Sequence, residues 1–189
     1  MTSIVEDRQR LDFDASWRVL KWDEADEFVN GLQPALHQLK GGIKAADVVG
    51  VRSVPRRERT LLIAEFKDFD HPDVPPPRRQ QVACAAVSDE LTRDIVRKVI
   101  DTLSGATFAH DAQRQRCGDL EGWRPALGRS TTTLLVLVCI EVPATQAVAA
   151  LAWTKKLQQR LRWLGPRACV IVTTSARPFN GAVIAYSVS

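Results

Sequence analysis

The chain has 189 residues, 45% of them apolar and 25% charged, enough apolar content for one folded domain with a sizeable interior and too much for a disordered chain. Its longest apolar run, Leu134 to Ile140, is far short of the ~20 residues that a bilayer-spanning helix needs. The opening MTSIVEDRQR lacks the basic-then-apolar order of a secretory signal, so no membrane is expected as a partner and the expected compartment is the cytoplasm. The formal charge is +4, and 19 arginines against 7 lysines permit a phosphate-bearing partner without requiring one.

Residues 1–15 read as polar and unpatterned. Trp17, Val19 and Trp22 then lead into Asp23, a suitable N-cap for a helix that runs to about Leu39 and stops at Gly41 and Gly42. Ile43 to Arg52 reads as a strand, because Val48, Val49 and Val51 are β-branched. SVPRRER supplies a turn, and TLLIAEF, Thr60 to Phe66, returns as the second strand of an antiparallel hairpin. HPDVPPPRR, from His71 to Arg79, carries too many prolines for regular structure. A helix follows from about Ser88 to Ala109, with Leu91, Ile95, Val99 and Leu103 forming one apolar stripe.

The next loop places Arg114, Arg116, Arg124 and Arg129 around Trp123, a residue suited to stacking on a base but more commonly an anchor holding a loop to the core. Thr131 to Val142 lacks polar alternation, as a strand covered on both faces does. A helix from Thr145 to Leu164 and strands at Ala168 to Thr174 and Ala182 to Val188 complete the order α-β-β-α-β-α-β-β. That order predicts an α/β fold in which a mixed sheet is flanked by helices on both sides, within a single domain of residues 1–189. Cys84, Cys117, Cys139 and Cys169 include no CxxC pair and read as reduced thiols, with Cys139 and Cys169 expected to pack as small hydrophobes.

One constellation carries chemistry. Residues two apart on a strand share a face, so Glu65 and Lys67 project together while Phe66 points into the opposite layer. An antiparallel hairpin turning near Pro55 to Arg59 brings Asp47, at the start of the first strand, beside Glu65. Two converging carboxylates form a hard-oxygen site that suits Mg²⁺ or Mn²⁺, and a neighbouring lysine can orient an attacking water and offset charge on a phosphate. The bland alternative for the three is a surface salt bridge at a strand end. Arg52, Arg56, Arg57 and Arg59 crowd the hairpin turn, expected beside this site, and Arg78 and Arg79 follow the proline run; all six are candidate phosphate contacts, with a solvated basic loop as the alternative. His71, Asp68 and Asp70 read as a local polar loop, and His37 and His110 as surface residues.

Asp47 in GIKAADVVGV together with Glu65 and Lys67 in LLIAEFKDF resembles the PD-(D/E)xK nuclease superfamily, in which an acid on one strand and a (D/E)xK tripeptide on the next bind the metal. Lys67 is the one lysine of the chain preceded two positions earlier by an acid, and a helix containing Arg97 and Lys98 follows. Ala46 stands where the signature proline would be, and Trp17 to Leu20 is the available candidate for the strand expected beside Asp47.

The resemblance implies a restriction-endonuclease-like core over about residues 23–142, with residues 143–189 as a C-terminal helix-strand extension of the sheet. It implies Mg²⁺-dependent hydrolysis of phosphodiester bonds, in DNA rather than RNA. Asp47 and Glu65 would be metal ligands, Glu24 or Glu27 on the first helix a further one, and Lys67 the catalytic lysine. The alternative is a catalytically silent nuclease-fold binding or scaffold subunit of a larger assembly. Either version leaves room for a homodimer or a protein partner.

Overall fold

Two β-sheets pack face to face and the helices cover one outer face in the computed structural model, which describes residues 1–25, 27–36, 42–52, 59–75, 85–112, 123, 131–143, 147–181 and 184–188. Strands β1 (Thr2–Glu6), β2 (Gln9–Phe13) and β3 (Trp17–Lys21) open the chain. A helical segment α1 follows, wound as a π-helix over Glu27–Leu32 and continuing as one α-turn over Gln33–Leu36. Strands β4 (Val48–Arg52) and β5 (Thr60–Asp68), helix α2 (Ala85–Ala112), β6 (Thr133–Glu141), helix α3 (Ala147–Leu161), β7 (Ala168–Thr173), β8 (Asn180–Gly181) and β9 (Ile184–Val188) complete the order.

The first sheet has the order β3-β4-β5-β6-β7. Its β3-β4-β5 part is antiparallel, as the short hairpin dictates, and β5-β6-β7 is parallel, as two helical crossovers dictate. Thus Trp17–Lys21 does form the strand beside β4, which Asp47 immediately precedes, and it lies before α1 in the chain rather than after it.

The mixed α/β character agrees with the sequence reading, but helices on both sides do not. β5, β6 and β7 step across the sheet in one direction, and right-handed crossovers put both connecting helices on the same face. There Ile95 and Val99 of α2 and Trp153, Leu157 and Leu161 of α3 bury against Leu61, Ile63, Val136 and Val138. Trp22 closes the layer and lies 5.9 Å from Phe28, ring to ring. Gly105 lets α2 approach this corner closely, since a Cβ there would come within 2.9 Å of Leu32.

The opposite face is covered by the second sheet, of order β1-β2-β9-β8. Leu11, Phe13, Ile184 and Tyr186 pack there on Val48, Leu62, Phe66, Leu137 and Cys139. Two sequence expectations fail here for the same reason. The first residues are not unpatterned: Leu11 and Phe13 are buried while Arg10 is exposed, the period-2 pattern of a strand with one wet face. Nor do residues 143–189 all extend the first sheet, because β7 does so while β8 and β9 join the N-terminal hairpin through β2. Cys139 is fully buried as expected, whereas Cys169 is exposed on the edge strand β7; Cys84 and Cys117 lie outside the described residues.

An arginine clamps the two sheets at one end. Arg8, in the β1–β2 turn, donates from Nε to Asp68 Oδ2 at 2.6 Å and from a terminal nitrogen to Asp68 Oδ1 at 3.0 Å and Asp70 Oδ2 at 3.2 Å. Burial pushes the Asp68 carboxyl up, but the Arg8 guanidinium together with the backbone N–H groups of Asp70 and His71 outweighs it and leaves the group below its ordinary value. A depressed carboxylate stabilises the fold above its unfolded pKa, and that stability is lost as pH falls through the folded value. Arg8→Ala is therefore expected to cost about 2 kcal/mol at pH 7 and progressively less in acid. Urea melts of both proteins from pH 7 down to pH 2 check this; a pH-independent difference would assign the loss to packing instead of charge.

Candidate active site

Asp47 is aimed by the segment before it. Residues 43–47 are expected from the sequence to belong to the first strand of the hairpin, yet β4 begins only at Val48. Their backbone groups go to α2 and to Trp22, just after β3, instead. Lys44 N–H donates to Asp101 Oδ2 at 2.9 Å and Ala46 N–H to Thr102 Oγ1 at 2.8 Å, while Arg97 donates to Gly42 O at 2.6 Å. Trp22 N–H donates to Asp47 O at 2.8 Å. The Asp47 side chain then reaches across to β5, where its Oδ2 accepts the Phe66 N–H at 2.6 Å. It takes the place of the next ladder bond of the hairpin.

Val48 pairs with Ala64, so Asp47 stands level with Glu65, one step beyond the last paired residues. Phe66 buries in the layer between the sheets, and Glu65 and Lys67 project to the helix-covered face. Glu65 is 2% exposed and Asp47 8%. Two ammonium groups meet them. Lys67 Nζ lies 2.6 Å from Glu65 Oε1, and Lys98 Nζ from α2 lies 2.6 Å from the same oxygen and 3.6 Å from Asp47 Oδ1.

Charge in this pocket is tightly coupled. Burial pushes the Glu65 carboxyl above its ordinary value; Lys67 opposes this, Asp47 adds to it by like-charge repulsion, and Lys98 opposes it. Burial works to lower the Lys98 ammonium, but Glu65 and Asp47 together outweigh it and the net direction is up. Glu65 Oε2 is buried and has no hydrogen-bond partner among the described residues.

Of the sequence-derived candidates, then, Asp47, Glu65 and Lys67 come together. Glu24 does not join them: it is exposed and pairs with Lys21 at 2.6 Å, a lysine that also holds Glu6 at 2.9 Å. The nearby acid that feels Asp47 is Asp23, whose carboxyl is raised first by burial and then by the charge of Asp47. Its Oδ1 is also without a partner among the described residues. The side chain of Glu27 lies outside the described residues.

The two described arginines that flank the basic turn, Arg52 and Arg59, are not beside the site. Arg52 pairs with Thr60 at the far end of the hairpin, five residues from Glu65 along an extended strand, or roughly 17 Å. Arg52 is half-buried and donates to Ser16 Oγ at 3.0 Å, and Arg59 precedes β5 at the same end. Arg56, Arg57, Arg78 and Arg79 lie outside the described residues, as do Arg114, Arg116, Arg124, Arg129, His37 and the side chain of His110. Trp123 is fully buried in the helix-side core, which makes it an anchor and not a stacking platform. Asp68 and Asp70 belong to the Arg8 clamp.

Lys98 is the site residue that the hairpin pattern does not reveal. Its signal lies in α2: Leu91, Ile95, Lys98 and Thr102 fall at i, i+4, i+7 and i+11, the spacing of one helix face, and Ile95 and Thr102 are fully buried. A lysine on a buried helix face needs an anionic partner.

The donor set fits a hard divalent cation. It offers two carboxylates, one with an oxygen left bare, and Mg²⁺ characteristically takes one or two protein carboxylates and keeps its remaining positions for water and phosphate. Among the described residues no three carboxylate, imidazole or thiol groups form a preformed metal cage. None of the described helices is long and apolar enough to cross a membrane. The chain matches no family model, no curated protein and no solved structure.

Proposed function

We propose that this chain is a Mg²⁺-dependent nuclease of the restriction-endonuclease-like type, hydrolysing phosphodiester bonds in DNA. The observation that carries the reading is the convergence of Asp47, Glu65 and Lys67 on one face of the sheet, near the carboxyl end of β5. Asp47 and Glu65 would hold Mg²⁺, or Mn²⁺ in its place. The ion, when bound, supplies a water of lowered pKa and neutralises charge on the phosphate.

The protein's own groups do the positioning. The Phe66 N–H and the α2-anchored segment 42–47 fix Asp47, and burial fixes Glu65. Lys67 is the more exposed of the two lysines, with 26% of its side chain accessible against 17% for Lys98, so it is the one placed to meet a phosphate oxygen arriving from solvent. A second copy or a protein partner would extend the DNA-contacting surface.

A second reading is favoured by a specific observation. Asp47 and Glu65 are already matched by Lys67 and Lys98, so the fold balances these charges without a metal, as a silent binding or scaffold subunit would require. The two readings separate in one experiment. Plasmid, linear duplex and single-stranded DNA are incubated with the purified chain and Mg²⁺ or Mn²⁺. Cleavage is expected, stopped by EDTA and absent in Asp47→Asn, a variant whose amide oxygen can still accept the Phe66 N–H and keep the local fold. DNA binding without cleavage would establish the scaffold.

A further inference from the structure

Among the described residues, Lys98 is the one cation that forms ion pairs with both carboxylates. Its ammonium is 2.6 Å from Glu65 Oε1 and 3.6 Å from Asp47 Oδ1, the bridging position between the two prospective ligands. Lys67 reaches Glu65 alone among the ion pairs of the site. An ammonium and a divalent cation cannot share that space, because like charges a few ångströms apart in a poorly solvated pocket repel strongly. We propose that Lys98 is an internal counter-ion which occupies the bridging position between Asp47 and Glu65 and which a divalent cation must displace in order to bind.

This inference rests on the nuclease reading of the site and concerns how its metal affinity is set. Charge balance makes the exchange necessary. With both lysines in place, two positive charges already answer two negative ones, so an incoming divalent ion leaves the pocket strongly positive unless one lysine withdraws. Lys98 has somewhere to go. Asp94 lies one turn back on α2, at i−4, where a lysine side chain can reach it. The field of Asp94 already acts on Lys98, and Asp94 is at the protein surface side of the cluster, held by the Lys44 ammonium. Withdrawal of Lys98 leaves Glu65 Oε1 paired with Lys67 alone and releases Asp47 Oδ1, which adds to the bare Glu65 Oε2 as a ligand oxygen.

The consequence is a site whose resting state is held together by its own lysine and whose metal affinity is reduced accordingly. Removing the ammonium while keeping the length of the side chain should therefore strengthen metal binding, the reverse of what is expected for a lysine that supports the metal.

The test is calorimetric titration of the full chain with MnCl₂, without nucleic acid, for wild type, Lys98→Met, Lys98→Arg and Lys67→Met. Lys98→Met is expected to bind Mn²⁺ roughly tenfold or more tightly than wild type, as removal of a nearby like charge implies. Lys98→Arg should bind no more tightly than wild type. Lys67→Met should gain less than Lys98→Met, since Lys67 does not bridge. In thermal melts, Lys98→Met should lose stability in EDTA yet show a larger rise in Tm on adding Mn²⁺ than wild type does. Should Lys98→Met fail to fold, Lys98→Gln carries the same expectation.

Equal or weaker Mn²⁺ binding by folded Lys98→Met or Lys98→Gln, with wild type still binding, would overturn the displacement and leave the nuclease reading standing. Binding by none of the four proteins would remove both.

Discussion

Lys67→Ala is expected to slow DNA cleavage by roughly 10²–10⁴-fold, the range lost when a group that transfers a proton or meets developing charge at the reacting phosphate is removed. Its effect on folding should be small. Glu65 keeps the Lys98 ammonium at 2.6 Å when Lys67 is truncated, so no buried charge is left without a partner, and the partly exposed Lys67 side chain buries little apolar surface. The same geometry predicts which kinetic constant moves. A group acting on the reacting phosphate lowers the single-turnover rate at saturating DNA, whereas one of many phosphate contacts lowers affinity and leaves that rate alone. Single-turnover cleavage and equilibrium binding of wild type and Lys67→Ala, at matched salt, separate the two. A parallel loss of affinity and rate would reassign Lys67 to binding. Cleavage equal to wild type would place the activity outside this site.

The parts of the molecule that were legible in the sequence are those whose partners are strand-local or apolar. Leu134 to Ile140 announces a strand buried on both faces, and it is the centre of the parallel half of the sheet. The pairing of Glu65 with Lys67 on one face needs nothing beyond the two-residue period of a strand, and hairpin closure then delivers Asp47. What stayed hidden depends on distant partners. No local pattern shows that Lys44 N–H and Ala46 N–H are taken by Asp101 and Thr102 of α2, more than fifty residues on, so residues 43–47 read as strand. Glu24 and Asp23 are adjacent acids at one turn, and only tertiary burial beside Trp22 distinguishes the one that senses Asp47. The second sheet escaped notice because its strands are short and one-faced, with Arg10 and Asp12 breaking the apolar signal of Leu11 and Phe13. The side on which helices pack is set by crossover handedness, a property of strand order that the element string α-β-β-α-β-α-β-β does not contain.

Glu141→Ala should be the most destabilising single polar substitution in the layer between the sheets, at about 3 kcal/mol. Glu141 ends β6, level with Asp68 of β5, and faces away from the Asp47 and Glu65 cluster. Its carboxyl is 4% exposed and accepts three hydrogen bonds: Tyr186 hydroxyl to Oε1 at 2.6 Å, Ser175 N–H to Oε1 at 2.7 Å and Ser175 hydroxyl to Oε2 at 2.5 Å. Tyr186 has a single hydroxyl proton, and the 2.6 Å contact with Glu141 takes it in preference to the 3.1 Å contact with Gln9 Oε1. Burial first, and Glu141 second, push that hydroxyl well above its ordinary pKa, so it stays a donor at any physiological pH. Because Tyr186 lies on β9 and Glu141 on β6, the carboxyl joins the second sheet to the first. Truncation takes the acceptor from three donors at once, the buried Tyr186 hydroxyl among them, which is costlier than losing one bond. Tyr186→Phe removes one donor and leaves Glu141 its two bonds from Ser175, for about 1 kcal/mol. Since both changes break the same contact, the double variant should lose less than the sum of the two. Urea denaturation of the three proteins measures these differences. Full additivity would mean that Tyr186 and Glu141 stabilise the sheets independently, and a Glu141→Ala cost below that of Tyr186→Phe would mean that water replaces the carboxyl at the sheet edge. In folded Glu141→Ala, at temperatures well below its melting point, cleavage should persist, because the sheet itself separates this carboxyl from Glu65 and Lys67.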